Sequence, residues 1–291
     1  MAKPPLRIYL TATMCLLWQP FPFPKGHRAF AWHHHPSTRK PAHFHEEPEL
    51  NLVVRGSATF VVADRRIEMS PGSLQWYPPG LDHYLECASV DLELFVVGFR
   101  QELLDAYSRE HGSSPNFARQ LCTVDERTLS VSSEIFGAAH SSNDAQSAER
   151  RLLEILAEFE RVGPAPTLGY RAAKLLADSP GRRRDDIVRT LASNRGDVST
   201  RFRHDVGLPI AEYRNRLKTL HLIGLLEAGH DNLLRAAFEA GFGSYSRCHQ
   251  VIRKTLGIAP SELSDASLRQ SFVERFEPML PPFCDAPSRR Q

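Results

Sequence analysis

The sequence predicts an α+β protein with two domains, in which an N-terminal β-barrel followed by helices precedes a C-terminal domain made only of helices. Three observations predict this class. Short β-type runs separated by turn residues fill residues 30–99, apolar residues recur at helical spacing over residues 101–162, and a basic helical region occupies residues 183–263. A chain of 291 residues is long enough for each domain to bury a core.

Charge is distributed unevenly along the chain. The net charge is only +2, but residues 180–260 contain 14 lysines and arginines against 8 aspartates and glutamates. This distribution favours a C-terminal domain that faces phosphate groups. No segment reaches the roughly 20 apolar residues of a membrane span. Because the five cysteines are scattered and form no Cys-x-x-Cys pair, we expect reduced thiols in a cytoplasmic protein without a membrane partner.

The N-terminal half begins with a segment rich in proline and aromatic residues, residues 1–26, which is expected to be an irregular arm. A sensor domain over residues 27–162 is expected to follow. Its β-type runs are broken by glycine, proline and aspartate, as is typical of a small barrel or sandwich. The clearest runs are Asn51–Val54, Ala58–Ala63, Ser73–Tyr77 and Leu92–Phe99.

The helical part of this domain ends in an amphipathic segment over residues 148–162. Its apolar stripe can serve either of two purposes, a contact between two copies of the chain or packing on the chain's own barrel. The spacing leaves both open. The stripe consists of Leu152, Leu153, Leu156, Ala157 and Phe159.

A break at Gly163–Thr167 opens a predicted linker over residues 163–182, which contains a short helical segment near Tyr170–Asp178. The DNA-facing domain is expected over residues 183–263. The last residues, 264–291, are expected to form a tail.

The C-terminal region contains an internal repeat. A shift of 50 residues overlays apolar or small residues on one another and aligns two glycines that would each end a helix, which indicates two helix-turn-helix units. Between them, residues 210–227 keep helical spacing up to Gly229, so a connecting helix of about 18 residues would be about 27 Å long. The overlaid pairs are Ile187 with Ala237, Val198 with Cys248, Phe202 with Ile252, Gly207 with Gly257 and Leu208 with Ile258.

These features resemble the DNA-binding domain of AraC/XylS-type transcription regulators, in which a long helix joins two helix-turn-helix units. Ala237, Gly241-Phe242, Ser246 and Gly257–Pro260 carry the closer match, that of the second unit. The resemblance implies sequence-specific binding to a double-stranded DNA operator. The chain departs from the family pattern in the second recognition helix, where Cys248, Gln250 and Ile252 replace the usual Phe, Arg and Phe.

The alignment with that family also predicts which side chains face DNA. Glutamine can pair with adenine, and arginine can pair with guanine or with phosphate. The alternative is that these residues form only a solvated helix face. The candidates are Arg195, Ser199, Thr200, Arg203, Tyr245, Ser246, Arg247, His249, Gln250, Arg253 and Lys254.

A cluster of potential metal ligands stands out in the N-terminal half. His43, His45 and Glu49 are separated by even numbers of residues, so on an extended strand they share a face, and His83 can reach them from a facing strand. Three imidazoles and a carboxylate suit a divalent transition metal with open coordination positions. The alternative is that these histidines are structural, since His33–His35 just upstream show that the region is rich in histidine.

The spacing of this cluster with Gly56, Gly72, Pro78–Gly80 and His83 resembles the two motifs of cupin barrels, although Cys87 stands where the second motif usually has asparagine. Cupin enzymes use such ligands in oxygen chemistry or isomerisation, whereas AraC-type regulators use the barrel as a ligand pocket. Trp76 and Tyr84 are candidates to line an effector pocket, with plain core packing as the alternative.

The sequence therefore predicts a cytoplasmic transcription regulator that is not an enzyme. A small molecule or metal in the barrel would control its binding to an operator, as a homodimer and with RNA polymerase as a further partner. One alternative is a metal-dependent cupin enzyme of the oxygenase or isomerase type fused to a DNA-binding domain. Another is a ligand-binding protein whose helical domain only mediates association.

Overall fold

A computed structural model describes residues 17–35, 41–111, 121–142, 144–162, 165–267 and 269. The predicted α+β class is confirmed, because two five-stranded sheets in the N-terminal half precede a helical C-terminal half. None of the described helices has the length and apolar character needed to cross a membrane. The predicted tail lies almost entirely outside the described residues.

The two sheets form the barrel. One sheet has the strand order β1-β3-β8-β5-β6 and the other β10-β7-β4-β9-β2. The predicted strand runs are confirmed. The strands are β1 Leu17–Trp18, β2 Ala29–His34, β3 His43–Phe44, β4 Glu49–Arg55, β5 Ala58–Val62, β6 Arg65–Met69, β7 Ser73–Tyr77, β8 His83–Ala88, β9 Glu93–Phe99 and β10 Cys122–Thr123.

The N-terminal arm is more ordered than expected where it is described. Its strand β1 pairs in parallel with β3, with Trp18 opposite Phe44. Cys87 on β8 is disulfide-bonded, and the second cysteine of that bond is not among the described residues. The expectation of five reduced cysteines is therefore wrong for Cys87, whereas Cys122 and Cys248 form no disulfide.

Helices cover the outer face of the second sheet. They are α1 Gln101–His111, α2 Glu126–Ser141 and α3 Ala145–Val162. In α3, Leu152, Leu156 and Phe159 are buried in one hydrophobic cluster with barrel residues such as Phe95. Of the two purposes left open for this stripe, the structure shows packing on the chain's own barrel.

The C-terminal half contains seven described helices. They are α4 Leu168–Asp178, α5 Arg184–Thr190, α6 Arg195–Val206, α7 Ile210–Glu227, α8 Leu233–Glu239, α9 Tyr245–Leu256 and α10 Pro260–Leu263. The connecting helix α7 has 18 residues, as predicted.

The structure confirms the internal repeat. Phe202 and Ile252, one residue from each unit, are both fully buried. Gly207 and Gly257 end α6 and α9 in the left-handed conformation, with φ of +84° and +76°. Glycine adopts this conformation without the steric cost that a Cβ atom would add, so these two positions end both recognition helices in the same way.

Part of the predicted linker is a folded helix that packs in the C-terminal half. In α4, Tyr170, Ala173 and Leu176 are buried with Phe202 of α6 in a shared cluster. The backbone N–H of Gly169 also donates a hydrogen bond to the Asp205 carboxylate at 2.9 Å. The glycine and proline residues on both sides of this segment favoured a linker, but its own apolar face determines its packing.

The two halves of the molecule share hydrophobic clusters. Tyr213 and Leu217 of α7 are buried together with Tyr77 and Leu81 of the barrel. A second cluster joins Trp18 and Phe44 to the core of the second helix-turn-helix unit. The DNA-facing half is therefore packed directly on the sensor barrel.

Candidate DNA-binding surface and effector site

The first candidate recognition helix is α6, and the Asn194 side chain caps its N-terminus by accepting a hydrogen bond from the Asp197 backbone N–H at 2.8 Å. Its face opposite Val198 and Phe202 presents the predicted residues. Arg195 is exposed but pairs with Asp185, with 2.5 Å between Nη2 and Oδ1. The predicted residues on this helix are Arg195, Ser199, Thr200 and Arg203, of which Ser199 is half-buried and the others are exposed.

The second candidate recognition helix, α9, begins at the Ser244 N-cap, whose side chain accepts a hydrogen bond from the Arg247 N–H at 3.2 Å. Cys248 and Ile252 lie on the buried face. Burial raises the pKa of the Cys248 thiol to about 11, so this thiol is a core group and not a reactive one. The predicted residues on the other face are Ser246, Arg247, His249, Gln250, Arg253 and Lys254, all exposed, and the half-buried Tyr245.

Two arginines that the sequence analysis did not select lie next to the first recognition helix. Arg184 donates hydrogen bonds to the Arg195 carbonyl at 2.9 Å and to the Ser199 hydroxyl. Arg65, the first residue of β6, donates to the Asp205 carbonyl at 2.8 Å, near the C-terminal end of α6. The sequence analysis placed Arg184 at the start of the DNA-facing domain without identifying it as a contact residue, and nothing local in the sequence marked Arg65.

The four predicted metal ligands come together inside the barrel. His43 on β3 is the cross-strand partner of His83 on β8. Glu49, the first residue of β4, lies between two imidazoles, 3.2 Å from His45 Nε2 and 3.5 Å from His83 Nε2. All four side chains are buried, and His43, His45 and His83 each offer a ligand atom within 4.8 Å of the others. We call these four residues the barrel cluster.

Backbone carbonyls orient the imidazoles of the barrel cluster. The Nδ1 atoms of His43, His45 and His83 lie 2.9, 2.8 and 3.1 Å from the carbonyl oxygens of Pro41, Glu47 and Leu81. An Nδ1–H that donates to a carbonyl leaves the Nε2 lone pair available for a ligand, as is usual for histidines that bind metal. His83 Nε2 is buried without a hydrogen-bond partner.

The electrostatics of the barrel cluster also suit a cation. Burial, followed by the charges of His83 and His45, holds the pKa of His43 well below its ordinary value, so its imidazole is neutral at pH 7. Burial alone would raise the pKa of Glu49, but His83 and His45 outweigh it and hold that pKa well below the ordinary value. Burial alone would lower the pKa of His45, but Glu49 and Glu47 outweigh it and raise that pKa. A neutral His43 and an ionised Glu49 are the forms that bind a divalent transition metal, and a metal at His45 would displace its proton, so the residues present fit one.

A pocket of about 300 Å³ opens onto the barrel cluster. The arm segment Gln19–Pro22 forms one side of it, and Trp32 and His34 of β2 form another. The predicted pocket residues lie elsewhere: Trp76 is buried in the cluster between the second sheet and its helices, and Tyr84 is half-buried on β8. The expectation that they line the pocket does not match this placement. The lining residues are Gln19, Pro20, Phe21, Pro22, Trp32, His33, His34, His43, His45, Glu49 and Val96.

Comparisons with solved structures return ToxT and an oxalate decarboxylase. ToxT from Vibrio cholerae is 16% identical over 80% of this chain and 95% of its own, with a TM-score of 0.41. Wild-type ToxT bound to an unsaturated fatty acid is 18% identical over 81% of this chain and 92% of its own, with a TM-score of 0.42. Oxalate decarboxylase from Bacillus subtilis is 16% identical over 30% of this chain and 28% of its own, with a TM-score of 0.22. Identities and TM-scores of this size establish no ligand or activity.

The search of curated protein sequences returned no match. Two family models do match the chain, and together they span both halves. The AraC-like ligand binding domain matches residues 25–158, which include the barrel cluster and the helices packed on the second sheet. A helix-turn-helix domain matches residues 187–266, which include both recognition helices. With a ligand-binding barrel joined to paired helix-turn-helix units, this chain belongs to the AraC family of DNA-binding, small-molecule-regulated transcription regulators.

Proposed function

We propose that the pocket above the barrel cluster is the effector site, that the cluster holds a divalent transition metal, and that binding there changes how the DNA-binding half is seated on the barrel. One observation carries this proposal. The loop Pro78–His83 both supplies a member of the barrel cluster and contacts the connecting helix α7.

The contacts of this loop run from the pocket to α7. The Gly80 backbone N–H donates to the His45 carbonyl at 2.9 Å. On the other side, the Tyr213 hydroxyl donates to the Pro79 carbonyl at 2.8 Å, and Arg216 donates to the Asp82 carboxylate. A ligand that moves His45 or His83 therefore shifts the residues against which α7 packs, provided that it binds the two arrangements unequally.

The attached DNA-binding half, and not the chemistry of the barrel cluster, favours binding over turnover, because a sensor needs an occupied site that persists. His43, His45, Glu49 and His83 would hold the metal, and the bound metal would supply a Lewis-acidic anchor for an oxygen atom of the effector. The chain's own residues then surround that effector: Phe21 and Trp32 offer apolar surface, and His34 offers a polar contact.

The inner face of the second sheet adds a constraint on the effector. Asn51 and Gln75 are cross-strand partners, and their side-chain oxygens are buried without a hydrogen-bond partner. Asn51 is also the cross-strand partner of Val96, which lines the pocket. Buried acceptors without a partner are costly, so an effector that reached past Val96 and carried hydroxyl or N–H donors would fit this region.

The protein surface that recognises the operator would consist of the exposed residues of α6 and α9 identified above. We further propose that two copies bind the operator, that RNA polymerase is the partner at the promoter, and that the protein acts in the cytoplasm. Light scattering of the protein with and without operator DNA tests the number of copies.

The decisive experiment measures metal content and operator affinity on the full-length protein. Metal added to the metal-free protein is expected to bind in the barrel cluster and to change the operator affinity, and His83→Ala should lose this change together with one bound metal per chain. His221→Ala is a matched control, because it removes an exposed imidazole from α7. If metal-loaded and metal-free protein bind the operator equally, the proposed role of the metal is wrong.

A further inference from the structure

A second group of metal-ligating side chains lies on the outer face of the second sheet, whose strand β4 carries Glu49 of the barrel cluster. His33, His35 and Glu93 each offer one ligand atom, and these three atoms lie within 4.8 Å of one another. We propose that these residues, called here the outer cluster, bind a second divalent transition metal of the zinc class, independently of the barrel cluster.

The strand register explains why the three side chains converge. Strands β2 and β9 are antiparallel, with His33 opposite Phe95 and His34 opposite Leu94. The same register places His35 opposite Glu93. Successive side chains on a strand point to opposite faces, so His33 and His35 share the outer face with Glu93, while Trp32 and His34 lie on the inner face. His33 also borders the pocket, at the edge of the sheet. Consecutive histidines thus contribute to two different sites.

One half of the outer cluster is already held in place. The His33 ring stacks on Phe95 with 4.6 Å between ring centroids and 18° between planes, which limits rotation of the imidazole. Its Nε2 lies 2.7 Å from Glu93 Oε1. The His35 ring centroid lies 4.7 Å from that of His33.

These distances are close to those of a tetrahedral metal site. Zinc–nitrogen and zinc–oxygen bonds of about 2.1 Å place two ligand atoms about 3.4 Å apart. The His33–Glu93 pair would need to open by about 0.7 Å, and His35 would need to move inward. His35 is exposed, so rotation about its side-chain bonds can supply that movement without disturbing the core.

The composition of the outer cluster selects the class of metal. Two imidazoles and one carboxylate suit zinc and its neighbours in the first transition row, whereas calcium and magnesium prefer oxygen ligands only. The His33 and Glu93 side chains are 31% and 28% exposed, so an ion can enter from solvent. Three protein ligands leave a fourth position for water or for a donor from another molecule.

A bound metal would join the ends of two strands that are otherwise held by backbone hydrogen bonds. Strand β2 lies at the edge of its sheet. It also contacts α2 through His140, whose Nδ1 lies 3.1 Å from the Ala31 carbonyl. A metal in the outer cluster is therefore expected to stabilise the edge of the barrel against unfolding.

The test uses untagged full-length protein in which His45→Ala, accompanied throughout by His83→Ala, leaves the barrel cluster with only two ligands. Titration with zinc, followed by calorimetry, and with cobalt(II), followed by visible absorption, is expected to give one equivalent bound with a tetrahedral spectrum. Adding His35→Ala should weaken that binding by at least about 100-fold, since even the loss of an outer-shell contact costs 10- to 100-fold. Glu93→Gln should weaken it as well.

His221→Ala in the same His45→Ala background is the matched control and should leave the affinity unchanged. Because His35 is exposed, its replacement should leave the circular dichroism spectrum intact. Failure of the His45→Ala protein to bind zinc, or retention of affinity after His35→Ala, would overturn the proposal. Neither outcome bears on the barrel cluster, whose own test compares His83→Ala with the wild type.

Discussion

Arg216 of the connecting helix donates a hydrogen bond to Asp82 of the barrel, and only 5% and 11% of these two side chains is exposed. The pair lies where the sensor meets the DNA-binding half, 134 residues apart in sequence. Removing one member of a buried ion pair leaves the other charge without compensation. The position of α7 on the barrel therefore depends on both residues.

Replacing Arg216 with alanine is expected to lower the free energy of unfolding by about 3–5 kcal/mol, because the Asp82 carboxylate remains buried and unpaired. Urea denaturation of the full-length protein measures this loss. Glu212→Gln is the control, because Glu212 is 40% exposed and its 3.4 Å contact with Arg216 contributes little. Equal stability of Arg216→Ala and wild type would show that the pair does not hold the junction.

The double variant Asp82→Leu with Arg216→Met tests whether the ion pair itself stabilises the protein or whether stability is lost only when one buried charge is left unpaired. Replacing both charges with apolar groups of similar size is often neutral or stabilising. We expect the double variant to regain most of the stability lost by Arg216→Ala. Its response of operator affinity to effector should then differ from that of the wild type if the pair contributes to signalling.

Gly207→Ala should destabilise the protein more than Gly229→Ala. Both glycines have positive φ, +84° and +88°, so each substitution costs about 1 kcal/mol in backbone strain. A Cβ atom at Gly207 would also lie 2.9 Å from Asp64 Oδ1 and 3.0 Å from Ala63 Cβ in the β5–β6 turn, whereas nothing lies within 4 Å at Gly229. Thermal unfolding of both variants measures the difference. Equal losses of stability would show that the β5–β6 turn moves away from the added Cβ atom at no cost.

Gln250→Ala and Arg203→Ala should affect operator binding in different ways. If Gln250 reads a base, its removal relaxes the preference at one base pair by about 1–3 kcal/mol. If Arg203 contacts phosphate, its removal weakens binding to all sequences. It also lowers the number of counterions released on binding, read from the salt dependence of the affinity, by about one. Competition binding at several salt concentrations separates the two effects. A uniform loss for both variants would contradict the assignment of Gln250.

The contribution of Asp205 to stability should depend on pH. Burial alone would raise its pKa, but hydrogen bonds from His204, Thr167 and the Gly169 backbone N–H outweigh it and lower the pKa below the ordinary value. A carboxyl with a lower pKa in the folded state stabilises the protein above the unfolded pKa of about 3.9 and loses this effect as pH falls through the folded pKa.

Asp205→Ala is therefore expected to cost about 1–3 kcal/mol at pH 7, the range for a buried hydrogen bond to a charged group. The difference from wild type should shrink as the pH is lowered from about 5 towards 3. Chemical denaturation across this range measures it. A difference that stays constant with pH would mean that the ionised carboxylate contributes nothing beyond its packing.

Features encoded by short, fixed spacings could be predicted from the sequence. The 18-residue helix α7 follows from helical spacing within one stretch of chain, and the two helix-turn-helix units follow from the 50-residue repeat. The convergence of His43, His45, Glu49 and His83 agrees with the cupin-like spacing but not with one extended strand, because β3 ends at Phe44 and Glu49 begins β4 in the other sheet.

Features that depend on which face of a strand is inside could not be predicted in the same way. All five residues of β7 are buried, so its pattern does not separate the face of Trp76, which meets the helices, from the face of Gln75 inside the barrel. Trp32 on the edge strand β2 lines the pocket instead. No local sequence pattern marked the Arg216–Asp82 pair, because its two members lie 134 residues apart in different domains.

The hydrophobic cluster in which Tyr213 and Leu217 pack with Tyr77 and Leu81 limits how freely this regulator can be rearranged in evolution. A sensor exchanged for an unrelated one would leave these α7 side chains facing a surface to which they are not matched. An isolated DNA-binding half would expose them to water and would tend to aggregate. New effector specificity is therefore expected to arise by substitution inside the pocket and not by exchange of whole domains.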